Sequence, residues 1–361
     1  MVTAVRQEQA GSRTKPALID CDVHNELDSE KDLYPYLSAR WLDHLKTYGM
    51  RKPSGSVYPR FLSKRNDARP PSGRLPGSEC WFTAKQLLDG WNVAYGILNP
   101  LTPAGSQLNP DFDAALCTAV NDWQAAEWLD PEPRLRASII MPFEFPELAV
   151  AEIKRRTNDK RFVQVLFIGR PAEPMGRRKY WPIYEACAEH GLVVTNHAFY
   201  SNGNPITGCG WPSFYIEDHA GPAQSMQANL ISMIVEGVFE RFPTLKVISA
   251  ENGFGWVPPM AWRLDSSYQL FKSEVPHLKR LPSECLRDHV WFCTQPVEEP
   301  HRPEDLFWLI DQIGPDRLLF ASDYAHWDWD APDVVLPPKL AEEKKRAIQF
   351  ENARQLYGFD G

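Results

Sequence analysis

The sequence predicts an α/β fold, a (β/α)8 TIM barrel with long loop insertions after strands 1 and 5. Eight runs rich in Val, Ile, Leu and Phe alternate with helical segments over most of the 361 residues. Continuous apolar runs are typical of parallel strands that are covered on both faces. A doubly wound sheet usually has roughly five to seven strands, so eight β-then-α units favour the barrel.

The segments between the strand-like runs repeat their apolar residues with helical spacing, as at Phe112, Leu116 and Trp123. Gly191 and Gly314 follow two of these segments, where glycine commonly ends a helix. The predicted strands are 17–24, 93–100, 135–143, 162–169, 192–199, 245–252, 289–296 and 318–325, and the predicted helices are 111–130, 146–156, 180–190, 223–242, 258–271, 303–313 and 339–356.

Two long segments interrupt this alternation. Residues 27–90 contain stretches rich in Pro, Gly, Arg and Ser, and residues 200–221 are rich in Gly, Asn and aromatic residues. Each follows the carboxyl end of a predicted strand, where barrels carry their active-site loops, so we expect a lid and a pocket wall. The predicted organisation is a disordered N-terminal tail at 1–16 and one barrel domain at 17–361.

Composition and charge exclude several classes of function. The net charge is −8 and no basic run exceeds residues 177–179, so we expect no nucleic-acid partner. No apolar stretch approaches the roughly 20 residues that span a bilayer, and the first sixteen residues lack the apolar core of a signal peptide. Seven cysteines without a Cys-x-x-Cys pair favour a cytoplasmic protein, with Cys21 and Cys293 as buried structural thiols.

Polar residues gather where the predicted strands end. Asp22 and His24 lie two residues apart on the first strand and therefore face the same side. Because the carboxyl ends of barrel strands meet at one rim, we expect them to converge with polar residues from other strands. Nitrogen and carboxylate ligands of this kind suit a catalytic Zn²⁺ or Mn²⁺ ion. The other polar residues at strand ends are His197, Glu251, Asn252, Gln295, Asp323 and His326.

Four motifs carry a resemblance to a known family. They are Asp-x-Asp-x-His at 20–24, Gly-Val-Phe-Glu-Arg-Phe-Pro-Thr-Leu-Lys-Val at 237–247, Phe-Ala-Ser-Asp-Tyr-Ala-His at 320–326 and Glu-Asn-Ala-Arg-Gln-Leu-Tyr-Gly at 351–358. From residue 19 to residue 358 the chain resembles the amidohydrolase-related family. This branch of the amidohydrolase superfamily includes aminocarboxymuconate-semialdehyde decarboxylase and gamma-resorcylate decarboxylase.

The resemblance implies four metal ligands, namely Asp22, His24, His197 and Asp323. Relatives carry His-x-His or Glu-x-His on the first strand. Compared with the His-x-His members, Asp22 adds an oxygen ligand and shifts the expected metal toward Mn²⁺ or Mg²⁺ against Zn²⁺. The fourth strand ends without the lysine that bridges two metals in binuclear relatives. The expected cofactor is therefore one divalent metal ion, Zn²⁺ or Mn²⁺.

We expect catalytic roles for Glu251, Asp323 and His326 from the chemistry of their side chains. Decarboxylases of the family carry a histidine after the sixth strand, where this chain has Glu251. Either Glu251 or Asp323 would act as general base, and His326 would orient Asp323 or contact the substrate. Aromatic side chains in the loops suggest a pocket for a flat or cyclic substrate. The expected substrate-binding residues are Glu26, Trp211, His219, Trp327 and Trp329.

Three functions are compatible with these residues. The first is a metal-dependent hydrolase that acts on a C–N or C–C bond of a small cyclic or aromatic-acid-like substrate through activated water. The alternative is a non-oxidative metal-dependent decarboxylase of an aromatic or unsaturated acid. The third is a catalytically inactive barrel that acts as a binding protein. The replacement of the expected histidine by Glu251 places the hydrolase first. Relatives of this kind are often dimers, so a homodimer is one candidate assembly, and the sequence leaves the oligomeric state open.

Overall fold

The computed structural model describes residues 16–52, 63–198 and 204–360. Eight parallel strands lie side by side in chain order in one sheet. A parallel bridge between Val23 and Tyr324 and a hydrogen bond from Cys21 N to Phe320 O (2.9 Å) join its two edges. This is the predicted (β/α)8 barrel. The strands are β1 (Leu18–Val23), β2 (Val93–Leu98), β3 (Leu135–Ile140), β4 (Phe162–Ile168), β5 (Val193–His197), β6 (Val247–Ala250), β7 (Val290–Cys293) and β8 (Leu318–Leu319).

Proline begins five of the long helices between the strands. A proline at the first helical position costs no hydrogen bond, because the backbone N–H groups there have no partner within the helix. The helices before β2 are Glu30–Tyr36, Ala39–Tyr48, Asn66–Ala68, Cys80–Thr83 and Ala84–Asp89. Those between β2 and β8 are Pro110–Gln124 with Ala125–Leu129, Pro146–Arg156, Arg178–Tyr180 with Trp181–His190, Tyr215–Ala220, Pro222–Val235, Val238–Arg241, Val257–Phe271, Pro282–His289, Pro303–Ile313 and Pro315–Arg317. The helices after β8 are Glu342–Arg346, Ala347–Glu351 and Asn352–Tyr357.

The helix prediction was wrong in two places. The helix predicted over 223–242 is interrupted at Gly237, which has a φ of 84° and lies against the ring of His277. A helix at Pro282–His289 was not predicted, because its sequence is short and mostly polar. The strands also end earlier than predicted, since residues such as Glu251 and Asp323 leave the extended conformation.

The strands are buried, as continuous apolar runs indicate. A large apolar cluster includes residues from the sheet and the helices, and a smaller one joins Ile97, Val193 and Leu319. The smaller cluster also contains Cys21 and Cys293, which are buried free thiols as predicted. Among the described residues, no helix is long and apolar enough to cross a membrane.

The insertion after β1 covers the carboxyl end of the barrel. Lys64 forms an antiparallel bridge with His326, and Trp327 N donates a hydrogen bond to Ser63 O (3.2 Å). Gly77 lies against the end of β1, where its carbonyl accepts a hydrogen bond from Glu26 N (2.8 Å). The segment is therefore attached to the loops that follow β1 and β8. Residues 53–62 and 199–203 of the two predicted insertions lie outside the described residues, as does the predicted tail up to residue 15.

We expect Gly77→Ala to destabilise the protein far more than Gly73→Ala. Both glycines have positive φ values, 76° and 84°, so both substitutions cost about 1 kcal/mol in backbone strain. A Cβ at residue 77 would lie 2.7 Å from the backbone oxygen of His24, whereas a Cβ at residue 73 meets nothing within 4 Å. Urea denaturation of both variants tests this packing, and equal losses of stability would contradict it.

We expect Asp113 to make the free energy of unfolding depend on pH. Asp113 Oδ1 accepts hydrogen bonds from Gly105 N (2.9 Å) and Gln107 N (3.0 Å), while burial raises the pKa of the carboxyl group from 3.8 to about 7. The folded state therefore binds the proton more tightly, and this contribution to stability falls as the pH rises from about 4 to 7. At about 1.4 kcal/mol per pH unit, the change reaches at most about 4 kcal/mol.

The variant Asp113→Asn cannot titrate and isolates this contribution. Its free energy of unfolding, minus that of the wild type, should increase between pH 4 and 7 in denaturation experiments. Asp111→Asn, on the exposed side of the same helical turn, is the matched control and should leave the wild-type pH profile unchanged. Parallel profiles for wild type and Asp113→Asn would contradict the expectation.

Candidate metal centre

Three strands bring the four predicted ligands together at one end of the barrel. Asp22 lies on β1 and His24 follows it, His197 ends β5, and Asp323 lies just beyond β8. His24 Nε2 lies 2.8 Å from Asp323 Oδ1 and 3.4 Å from Asp22 Oδ1. His197 Nε2 lies 3.2 Å from Asp22 Oδ2. All four side chains are buried, so their polar atoms face one another rather than solvent.

Backbone carbonyls fix the orientation of both imidazole rings. His24 Nδ1 donates to Asn99 O (2.7 Å), and His197 Nδ1 donates to Ala198 O (2.6 Å). Because a carbonyl oxygen only accepts, each Nδ1 carries a proton, and Nε2 is the ring nitrogen that faces the carboxylates and has a free lone pair in the neutral ring. Second-sphere hydrogen bonds of this kind prepare histidines as metal ligands.

The donor atoms of this cluster fit a divalent cation. Asp22, His24 and His197 offer ligand atoms within 4.8 Å of one another, and so do His24, Asp323 and His326. Within the described residues, His24 Nε2 is buried without a hydrogen bond. Lone pairs that face carboxylate oxygens in this way need a cation or a proton between them. Two nitrogens with carboxylate oxygens suit Zn²⁺ or Mn²⁺.

Burial and mutual charge shift the pKa values within the cluster. Burial alone would lower the pKa of His24, but the Asp22 and Asp323 carboxylates raise it to about 9. Burial opposes the ionised form of Asp22, yet His197 and His24 hold its pKa well below the usual value. Burial raises the pKa of Asp323, and it raises that of Glu251 much further with the help of the neighbouring carboxylates. The site thus attracts positive charge.

Glu251 directly follows β6 and lies next to His197 in the same cluster. Its Oε2 lies 3.4 Å from His197 Nε2, is buried, and has no hydrogen-bond partner among the described residues. Glu251 and Asp323 have positive φ values of 55° and 60°. This left-handed conformation costs a non-glycine residue on the order of 1 kcal/mol, which the surrounding structure must offset. Strain at two charged residues of one pocket is typical of functional sites.

His326 and Glu26 lie beside the cluster and are joined by Lys64. His326 Nδ1 lies 2.5 Å from Asp323 Oδ1, and Lys64 Nζ donates to His326 Nε2 (2.7 Å). The ammonium group of Lys64 also forms an ion pair with Glu26. Since Lys64 can only donate, His326 Nε2 accepts and His326 Nδ1 donates to Asp323. The arrangement is suited to holding the Asp323 carboxylate in one orientation.

The other predicted substrate-binding residues have varied surroundings. His219 Nε2 lies 2.9 Å from Asp328 Oδ2, and its ring packs on that of Trp327 at 5.5 Å between centroids. Trp329 packs against Trp91 (6.0 Å), with the guanidinium of Arg65 over its ring (3.8 Å). The side chain of Trp211 is 47% exposed. The substrate-binding roles of Glu26, Trp211, His219, Trp327 and Trp329 stay predictions.

The sequence analysis did not single out three polar residues of this site. Asn99 Nδ2 donates to Asp22 Oδ1 (2.8 Å), and Asp328 groups with Glu251 and Asp323 as a further carboxylate. Asn99 follows β2 directly and could have been found by the strand-end criterion. Lys64 lies within an irregular insertion, and no pattern in the sequence indicates that it meets a residue beyond β8.

Comparisons with known proteins give the chain its family. The sequence profile described as "Amidohydrolase" matches residues 19–359. The gamma-resorcylate decarboxylase of Polaromonas sp. (strain JS666 / ATCC BAA-500) is 26% identical over 291 residues, which cover 75% of this chain and 85% of the relative.

Solved structures show the same fold. The dihydroxybenzoic acid decarboxylase of Polaromonas sp. JS666, solved with bound manganese and the inhibitor 2-nitroresorcinol, has a TM-score of 0.65 and 20% identity over 95% of this chain and 97% of that chain. The 2,6-dihydroxybenzoate decarboxylase of Rhizobium has a TM-score of 0.66 and 20% identity, and the match covers 96% of this chain and 99% of that chain. Because the family profile covers nearly the whole sequence, this chain belongs to the amidohydrolase family, as its motifs predicted.

Proposed function

We propose that this protein is a metal-dependent decarboxylase of an aromatic acid of the dihydroxybenzoate type. The observation that carries the proposal is the similarity to gamma-resorcylate decarboxylase over 75% of the chain, together with the buried His and Asp cluster at the carboxyl end of the barrel. The sequence analysis placed a hydrolase first and a decarboxylase second. The relatives favour the second reading, because they are decarboxylases.

Asp22, His24, His197 and Asp323 would hold one divalent cation. Two carboxylates among four ligands favour Mn²⁺ over Zn²⁺. When bound, the ion would supply positive charge for the anionic oxygens of an aromatic acid and would neutralise the buried carboxylates. Asn99 and Ala198 keep the two imidazoles in the required tautomer through their carbonyl oxygens. Lys64 and His326 would keep Asp323 oriented.

Glu251 would deliver the proton that decarboxylation requires. The ring carbon that bears the carboxylate gains a proton, the C–C bond breaks, its electron pair restores the aromatic ring, and carbon dioxide leaves. Burial raises the pKa of Glu251 well above its usual value, which favours the protonated form, and its Oε2 has no hydrogen-bond partner among the described residues, so it would be able to act on a substrate. Glu251 would then regain its proton from solvent. Trp327 and His219 would line one wall for the aromatic ring.

A hydrolase remains the second candidate, and Glu251 is the observation that favours it. A carboxylate in place of the histidine of decarboxylases can serve as a general base toward water. The two reactions differ in the fate of water. A hydrolase incorporates the oxygen of water into its product, whereas a decarboxylase places a solvent proton on the ring carbon.

We expect wild-type protein to bind about one equivalent of Mn²⁺ or Zn²⁺. The variants His197→Ala and Asp323→Ala should bind the metal ion at least about 100-fold more weakly, because each loses a proposed ligand. Metal content after dialysis, measured by mass spectrometry, tests the assignment. His190→Ala, which removes an exposed histidine at the end of a helix, is the matched control and should retain the metal. Equal metal content in wild type, His197→Ala and Asp323→Ala would disprove the ligand assignment.

We expect the Mn²⁺-loaded protein to convert 2,6-dihydroxybenzoate to resorcinol and carbon dioxide, with one deuterium on the ring when the solvent is D₂O. Glu251→Gln should slow this reaction by about 10² to 10⁴-fold, because the amide cannot donate a proton as a carboxylic acid does. Its metal content should stay near that of the wild type, since the carboxylate is not one of the four ligands.

The isotopes in the product distinguish the two candidates. Product without deuterium but with ¹⁸O from labelled water, when cyclic amides or esters are supplied, would support the hydrolase and reject the decarboxylase. Full decarboxylation by Glu251→Gln would reject Glu251 as the proton donor.

A further inference from the structure

A continuous chain of hydrogen bonds runs through the barrel to Asp22. Tyr357 Oη donates to Gln164 Oε1 (2.6 Å), and Gln164 Nε2 donates to Ser138 Oγ (2.8 Å) and to Asn99 Oδ1 (3.0 Å). Ser138 Oγ donates to Asn99 Oδ1 (2.6 Å), and Asn99 Nδ2 donates to Asp22 Oδ1 (2.8 Å). These five residues are called the Asp22–Tyr357 chain below.

The Asp22–Tyr357 chain draws one residue from each of four neighbouring strands or strand ends. Asp22 and Ser138 lie on β1 and β3, Gln164 lies on β4, and Asn99 follows β2. All four are fully buried. Tyr357 is the last residue of the helix Asn352–Tyr357 and enters from the opposite end of the strands. Because buried polar atoms must find partners within the protein, each of these side chains depends on the next.

The charge on Asp22 sets the direction of every bond in the chain. An ionised carboxylate only accepts, so Asn99 must present its Nδ2 to Asp22 and its Oδ1 to Ser138 and Gln164. Ser138 gives its single proton to Asn99 and must therefore accept one from Gln164. Both N–H groups of Gln164 then donate hydrogen bonds, to Ser138 and Asn99, so its Oε1 needs a hydrogen-bond donor from another residue. Tyr357 is the donor that meets this requirement.

The ring of Tyr357 is held in place from outside the barrel. It stacks on Phe359 with centroids 5.2 Å apart, and Phe359 stacks on Tyr95 at 4.3 Å. Burial raises the pKa of the phenol, so the hydroxyl keeps its proton. Tyr357 also belongs to the closing motif at 351–358, which the ligand set does not use.

We propose that Tyr357 is a positioning residue of the metal centre, whose hydroxyl orients Asp22 through Gln164, Ser138 and Asn99 and thereby strengthens binding of the divalent cation. The inference rests on the proposed metal site. Removal of the phenol hydroxyl leaves Gln164 Oε1 without a donor, so the Gln164 amide can rotate. Asn99 then loses the hydrogen bond from Gln164 Nε2 and is held against Asp22 only by its bonds with Ser138 Oγ and the carbonyl of Cys21 (3.2 Å), so its Nδ2 is less firmly oriented.

The test is a titration of metal-free, full-length protein with Mn²⁺, followed by electron paramagnetic resonance. Loss of a residue that hydrogen-bonds directly to a metal ligand typically weakens metal binding by about 10 to 100-fold. Tyr357 lies three hydrogen bonds away from Asp22, so we expect Tyr357→Phe to raise the Kd for Mn²⁺ by a smaller factor, about 3 to 10-fold. The matched control is Tyr184→Phe. Tyr184 is a buried tyrosine whose hydroxyl donates to Met175 O (2.6 Å) outside the Asp22–Tyr357 chain, and its loss should leave the Kd unchanged.

A second variant separates positioning from loss of stability. Ser138→Ala removes one of the two connections between Gln164 and Asn99 and leaves the direct hydrogen bond, so it should also weaken Mn²⁺ binding and alter the spectrum of the bound ion. In the double variant with Tyr357→Phe the two effects should fall short of additive, because both act through Asn99.

Two results would overturn the inference and point to different causes. Wild-type affinity and an unchanged spectrum in both Tyr357→Phe and Ser138→Ala would reject the role of the chain while leaving the metal site intact. Absence of Mn²⁺ binding by the wild type would instead reject the metal site itself, and the inference with it.

Discussion

The structure of this site depends on the burial of three carboxylates, Asp22, Glu251 and Asp323, next to two imidazoles. The carboxyl ends of the parallel strands meet at one rim of the barrel, and these groups are buried there side by side, away from water. Such a concentration of negative charge is costly unless cations or protons balance it. Three features of the site influence this balance of charge. They are the carbonyl contacts of both histidines, the strained backbone at two acidic residues and the neighbouring lysine. A divalent cation is the charge that would complete it.

Much of the architecture could be predicted from local patterns in the sequence. Strand number and order follow from apolar runs that alternate with amphipathic segments, and Asp22, His24 and His197 could be found because they end such runs. Lys64 could not be found, because its contacts with Glu26 and His326 depend on how an irregular insertion folds over the barrel. The helix Pro282–His289 escaped prediction because it is only eight residues long, so the helical spacing of Pro282, Cys285, Leu286 and His289 does not repeat far enough to stand out.

Glu251 connects the two reactions considered for this protein. Its position after β6, 3.4 Å from His197 Nε2, is the basis for the proposed exchange of a proton with a bound molecule. Whether a carboxyl group at such a position gives or takes a proton depends on its protonation state, and burial beside other carboxylates raises its pKa and so favours the protonated state. This protonation state is consistent with the lyase chemistry of the decarboxylase relatives, even though the residue type departs from theirs.

The bridge between Val23 and Tyr324 joins the two edges of the sheet and brings together the proposed ligands on either side of it. Asp323 is synthesised about 300 residues after Asp22, so a nascent polypeptide cannot assemble the proposed ligand set until that whole stretch has been made. Contacts between such distant residues form late, since closing a long loop carries a large entropic cost. Complete coordination of a cation by these residues would therefore accompany closure of the barrel and would stabilise the closed form.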